Sequence, residues 1–201
     1  MPEIDLFEHR RQSYAIRLHE WREHAGLLEK LTWSLFFAVL AAAAAQMRLL
    51  LPFTPVPLTG QVLVVLLAGF VLGRFGVVSM GMYLVLGSAF GWFSGAVGMA
   101  ALSGITAGYL FGFVLAAAMV GELAQRRSHW SYGQIVVVMS LAVCAIYLLG
   151  SAWLSLVLGI DFLQALIVGA LPFIVVDAIK VLVASSVAYS ITPRKAREAQ
   201  G

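Results

Sequence analysis

Residues 171–187 read LPFIVVDAIKVLVASSV. Apart from one acid and one base, Asp177 and Lys180, the stretch carries no charge and is apolar but for Ser185 and Ser186, and with the residues that follow it is long enough to cross a ~30 Å hydrocarbon core as a helix. A charge at the bilayer centre costs roughly 2.5–3.5 kcal/mol on insertion scales, so the two need a reason to be there. On a helix, positions i and i+3 share a face, and the side chains can pair. Pro172 suits a first helical turn. A helix starting near Leu171 puts Asp177 about 9 Å below its outer end, within reach of a pocket open to the outside. Such a pair either neutralises itself between packed helices or serves as a polar contact for something that enters the protein.

The rest of the chain agrees with a membrane setting. Its 201 residues are 61% hydrophobic and only 11% charged, and the mean hydropathy is +0.93. Soluble domains carry about 25% charged residues, so the composition specifies an integral membrane protein. The first thirty residues are polar and predict no cleavable signal peptide. The single cysteine, Cys144, lies in an apolar run and precludes an internal disulfide.

At about 20 apolar residues per helical span, six spans are expected: 31–51, 60–74, 76–92, 104–122, 133–158 and 171–191. The second and third are short and divided only by Arg74 and Phe75. Segment 159–170 is expected to be a short helix at the outer face. Lys and Arg placement sets the orientation. With both termini inside, Arg10, Arg11, Arg17, Arg22, Lys30, Arg74, Arg126, Arg127, Arg194, Lys195 and Arg197 are all cytoplasmic. Outside this set are only Arg48, in an outer loop, and Lys180, within a span. The expected organisation is a cytoplasmic amphipathic extension over 1–30, a six-helix membrane domain over 31–193, and a basic tail over 194–201. The extension repeats Phe7, Tyr14, Leu18, Trp21, Ala25 and Leu28 at helical spacing. Its charges nearly balance, so it is not a polybasic anchor.

Helices in lipid associate through small residues that let backbones approach. The first span carries AVLAAAAAQ, in which Ala38 with Ala42, and Ala41 with Ala45, stand four apart. This smooth face either packs inside the bundle or docks another membrane protein.

Catalytic motifs are missing. All four histidines lie in polar segments, and there is no HExxH, GxSxG or Walker A pattern. Lys180 with Ser185 or Ser186 is a conceivable serine–lysine dyad. An acid one turn away favours the charged ammonium over a neutral base. The basic residues serve topology rather than nucleic-acid binding. No metal site or cofactor is expected, and active transport would need energy from a partner or an ion gradient.

The run AAAAAQMRLLLPFTPVPLTGQVLVVLLAGFVLG, from Ala41 to Gly73, resembles the start of the BioY family, the biotin-specific S components of energy-coupling factor (ECF) transporters. Carrying residues are Ala45-Gln46, the segment Pro52 to Pro57, Thr59, Gln61 and Leu67-Ala68-Gly69. Tyr83-Leu84 with Leu86-Gly87, TAGYLFGF from Thr106, and LPFIVVDAIK follow in the family's order. The chain departs from the family where a glycine-rich outer segment is usual. Here it reads FSGAVGMAALSG from Phe93, with Ile105 in place of a proline. The polar N-terminal extension is a second departure.

The resemblance implies an all-α bundle of six transmembrane helices that captures biotin from outside, with no enzymatic activity. It implies substrate contacts from Asp177, Lys180, Thr106, Tyr109, Phe53 and Gln61, and a first outer loop that helps close over the vitamin. It also implies that the alanine face (Ala38, Ala41, Ala42 and Ala45) docks on a transmembrane coupling protein carrying two ABC-type ATPases. Two rivals stand beside this reading. One is a solo, proton-coupled secondary transporter of biotin or a similar solute; the other is an intramembrane enzyme.

Overall fold

The computed structural model describes residues 17–18, 20–93, 98, 100–126 and 129–192. Phe7, Tyr14 and the basic tail lie outside them, as do residues 94–97 and 99 of the segment that departs from the family after Phe93. The described residues form helices joined by short connections, with one small antiparallel hairpin.

Helix α1, Leu27–Gln46, ends five residues before the expected limit of the first span. The chain turns instead into a two-residue strand, β1 (Arg48–Leu49), which pairs with β2 (Leu58–Thr59) in the register Arg48↔Thr59 and Leu49↔Leu58. Pro52, Pro55 and Pro57 lie between the strands. Proline lacks the N–H a helix needs and restricts the residue before it, so this loop cannot extend α1. The Gly60 N–H donates to the Ala44 carbonyl at 3.3 Å and ties the base of the hairpin to the end of α1.

Helices α2 (Gln61–Leu72) and α3 (Phe75–Phe90) turn back on each other through Gly73, whose φ of +60° suits a residue without Cβ. At 1.5 Å per residue α2 is only about 18 Å long. Nine of its twelve residues are buried, so protein rather than lipid surrounds it. A helix sheathed by others has its backbone satisfied and its side chains covered regardless of bilayer thickness.

A short helix α4 (Ala100–Ser103) leads into α5 (Ala107–Arg126), and α6 spans Tyr132–Leu158. Ser131 and Gln134 form a capping box at the start of α6, and Gly159 ends it in the left-handed region. Asp161 caps α7 (Phe162–Gly169) by accepting from the Leu163 N–H at 2.9 Å. A 3-10 turn holding Pro172 (Leu171–Phe173) then feeds α8 (Ile174–Ser190). Among the described residues, four stretches are long and apolar enough to cross a membrane: Leu27–Gln46, Ala107–Arg126, Tyr132–Leu158 and Phe162–Ser190. Glycines bring α5 against α6: a Cβ at Gly108 would collide with Trp153, and one at Gly112 would lie 2.9 Å from Cα of Ile146.

The smooth face of α1 is covered in the isolated chain. Ala38, Ala41 and Ala45 are fully buried and Ala42 is 8% exposed, because α1 lays this face on α3 and α2. In the isolated chain the four alanines expected to dock a partner thus pack inside the bundle, the other of the two arrangements a smooth face allows. Small residues let helices meet closely, and here the neighbours are the chain's own. Outward-facing positions of α1 are large and apolar, among them Leu35, Phe36 and Val39.

Residues 20–24 are helical and reach the far end of the bundle from the hairpin. Arg22 donates to three carbonyls there: Nε to Val71 at 3.1 Å, Nη1 to Ala124 at 3.3 Å, and Nη2 to Phe70. These carbonyls lie in the last turns of α2 and α5, where no intrahelical donor remains and the helix dipoles favour a cation. Burial pulls the guanidinium down to about 10, still charged near neutrality. Trp21 Nε1 donates to Glu29 at 2.5 Å and links the segment to α1. Arg22→Ala is therefore expected to lower stability by about 1–3 kcal/mol, the value of charged hydrogen bonds discounted for a partly exposed site. The melting midpoint of purified protein measures this, and deleting residues 1–25 should cost at least as much. An unchanged midpoint for both would mean the contacts are incidental.

Candidate functional site

At the hairpin end of the bundle lies a cavity of about 670 Å³, open mouth included. Its wall is mostly apolar: Val56, Val62, Phe93, Leu110, Phe113, Ile146 and Phe173 contribute aliphatic and aromatic surface. Phe93 is set by an edge-to-face contact with Tyr83 at 5.4 Å, and it lies where a Cβ on Gly87 would stand.

The polar groups gather at one place. Asp177 is 3% exposed, and its two carboxylate oxygens are held by different donors. Lys180 Nζ lies 2.5 Å from Oδ1, and the Tyr147 hydroxyl donates to Oδ2 at 2.6 Å. Lys180 Nζ also donates to the Thr59 carbonyl at 2.7 Å, so β2 of the outer hairpin is bonded to α8. A lysine ammonium has three donors. Asp177 and Thr59 take two, and one remains for a third acceptor. An ionised carboxylate accepts at about four lone-pair positions, and those not facing Lys180 or Tyr147 remain.

Five of the six expected contact residues line this cavity: Asp177, Lys180, Thr106, Tyr109 and Gln61. Two of them present something other than their polar tips. The Tyr109 hydroxyl donates to the Gly169 carbonyl at 2.9 Å, so the cavity meets its ring. That ring lies against Gly150, where a Cβ would overlap it. Gln61 is consumed at both ends: Nε2 donates to the Tyr83 hydroxyl at 2.6 Å, and Oε1 accepts from the Thr59 hydroxyl at 3.0 Å. It fastens the hairpin to α3. The sixth, Phe53, is 62% exposed on the hairpin loop and is not part of the cavity wall.

Tyr147 was not anticipated from the sequence, nor was the Thr59 carbonyl. A signal for Tyr147 existed: a hydroxyl within the apolar span CAIYLLG requires a partner, and Asp177 has an oxygen that Lys180 does not occupy. The serine–lysine dyad does not form. Ser185 donates to Met139 Sδ at 3.4 Å and Ser186 to the Leu182 carbonyl at 2.8 Å. Among the described residues no three His, Cys, Asp or Glu side chains cluster as a metal site.

Comparison with known proteins points the same way. The model of the BioY family matches residues 14–197. The chain is 37% identical over 143 residues to the biotin transporter BioY of Thermotoga maritima, covering 69% of this chain and 82% of that protein. It is 38% identical over 157 residues to a probable biotin transporter BioY of Pyrococcus horikoshii, covering 76% and 89%. With the biotin transporter BioY of Rhizobium etli the identity is 33% over 180 residues, covering 81% and 95%. The fold is similar to the crystal structure of the S-component for biotin from an ECF-type ABC transporter. The TM-score is 0.72 at 25% identity, over 81% of this chain and 89% of that one.

Proposed function

The chain belongs to the BioY family, and from that premise we propose that it takes up biotin across the cell membrane as the substrate-capturing S component of an ECF-type ABC transporter. It is a multi-pass membrane protein and not an enzyme. The observation that carries the reading is the acid–base cluster of Asp177, Lys180 and Tyr147 at the polar corner of an otherwise apolar cavity. A fused-ring urea presents two N–H donors beside a carbonyl acceptor. The open acceptor positions of Asp177 and the remaining donor of Lys180 match that pattern. The aromatic and aliphatic wall matches the apolar body of the vitamin. Away from water each of these hydrogen bonds is electrostatically stronger than in solution.

On this reading six helices, α1, α2, α3, α5, α6 and α8, form the membrane domain, with α2 and α3 as an internal hairpin and both termini in the cytoplasm. Thr59, Gln61, Thr106 and Tyr109 shape the site, and Phe53 meets the ligand only if the hairpin loop moves inward. The partners are a transmembrane coupling protein and, through it, two ABC-type ATPases. With the alanine face of α1 already covered, the coupling protein would meet the large apolar residues on its other side.

Equilibrium binding of labelled biotin to the purified protein tests the reading. Saturable binding of one biotin per chain is expected. Asp177→Asn should weaken it roughly ten- to a hundredfold, the value of one charged hydrogen bond in a buried site. No saturable binding, or full affinity in the Asn variant, would defeat the assignment of this cavity to biotin.

A further inference from the structure

We infer that Tyr147 is a positioning residue for substrate recognition: it fixes the plane of the Asp177 carboxylate so that the remaining acceptor positions face the cavity. This rests on the biotin reading above and goes beyond it. The two charged residues share one helix, and the lysine reaches its partner on a long side chain with several rotatable bonds. A pair built only from α8 has several ways to close, including one in which the ammonium straddles both oxygens. The Tyr147 hydroxyl removes that choice by holding Oδ2 at 2.6 Å from a different helix, α6. That arm is stiff. A tyrosine has two rotatable bonds, and the backbone beneath it is pressed onto α5 on both sides. Ile146, its neighbour, sits where Gly112 approaches, and Gly150, one turn on, carries the Tyr109 ring. Thr59 holds the other partner by drawing Lys180 Nζ toward the hairpin at 2.7 Å. Each end of the ion pair is thus tethered to a separate part of the fold, and the acceptor direction becomes a property of the α6–α8 register.

A cycle of Tyr147→Phe and Asp177→Asn, read as labelled-biotin affinity, tests this. Tyr147→Phe keeps the ring and removes one hydroxyl. It should weaken binding about tenfold in the otherwise unchanged protein, the low end for a charged hydrogen bond. In the Asp177→Asn background the loss should fall to within about threefold. There the amide oxygen turns to the ammonium and its NH₂ faces the ring, so the hydroxyl no longer orients an acceptor. An equal loss in both backgrounds would mean that Tyr147 acts by packing or touches the ligand directly, and would overturn the inference. So would unchanged affinity in the single Phe variant. Counting bound biotin at saturation refers each affinity to folded chains. Tyr147→Leu, which also removes the ring, should reduce the folded fraction where Phe does not. A Phe variant that folds no better than Leu makes the residue structural and ends the proposal. If the unaltered protein binds no biotin, the functional reading fails first, and this inference falls with it.

Discussion

Replacing Lys180 with methionine is expected to abolish measurable biotin binding and also to cut the yield of folded protein. The side chain is similar in length and fills the same space, so the effect isolates the charge. Asp177, 3% exposed, would keep only the neutral Tyr147 hydroxyl as a partner. Removing one member of a buried ion pair costs about 3–5 kcal/mol, because the other charge stays buried without compensation. The Thr59 carbonyl would lose its donor as well. Combining Lys180→Met with Asp177→Asn should restore much of the folded yield, since no net charge is then left inside, but not binding. Size-exclusion profiles and melting midpoints in detergent measure the first effect, and labelled biotin the second. A Lys180→Met chain that folds and binds normally would show that the ammonium is neither buried nor used. Equal instability of the single and double variants would show that it is the stem of the lysine, not its charge, that the fold requires.

Gly121→Leu is expected to have the second large effect, on folding itself. Gly121 lies on α5 where that helix meets the end of α2, and a Cβ there would overlap the Gly73 carbonyl oxygen and stand 2.7 Å from its carbon. The partner on the facing helix is also tight, though less so: a Cβ at Gly69 would lie 2.9 Å from the Ala117 carbonyl oxygen. Both obstacles are backbone, which cannot swing aside as a side chain does. Even alanine at Gly121 forces the helices apart, at a cost of about 1–3 kcal/mol for overpacking, and leucine should prevent the contact altogether. Since α2 brings Gln61 and Val62 to the cavity and α5 brings Tyr109 and Phe113, the alanine variant should also lose affinity for biotin. Gly81 and Gly133 have nothing within 4 Å of a Cβ, so alanine there is the control. Recovery of Gly121→Leu as folded protein at the level of those controls would show that α2 and α5 do not meet this closely.

What could be read from the sequence was local in origin. A membrane helix is recognised by its length and apolarity. The start of the last helix is marked by Pro172, which acts within one turn. The pairing of Asp177 with Lys180 belongs to the same class, because helical geometry alone puts i and i+3 side by side. The resemblance to the BioY family brought Thr106, Tyr109 and Gln61 to the site, but not what each does there. Tyr109 offers its ring because its hydroxyl is engaged by Gly169, 60 residues away. Tyr147 meets Asp177 only through the register of α6 on α8, and the hairpin reaches Lys180 across 121 residues.

The alanine face shows most plainly where sequence stops. In a soluble protein an apolar stripe points inward, because water penalises the other orientation. Lipid tails are as apolar as any core, so hydropathy carries no sign of which side of α1 faces protein. Ala38, Ala41, Ala42 and Ala45 allow a close neighbour but do not specify whose helix it is. Only the assembled bundle decided that: in it α3 and α2 occupy the face and the bulky residues of α1 turn outward.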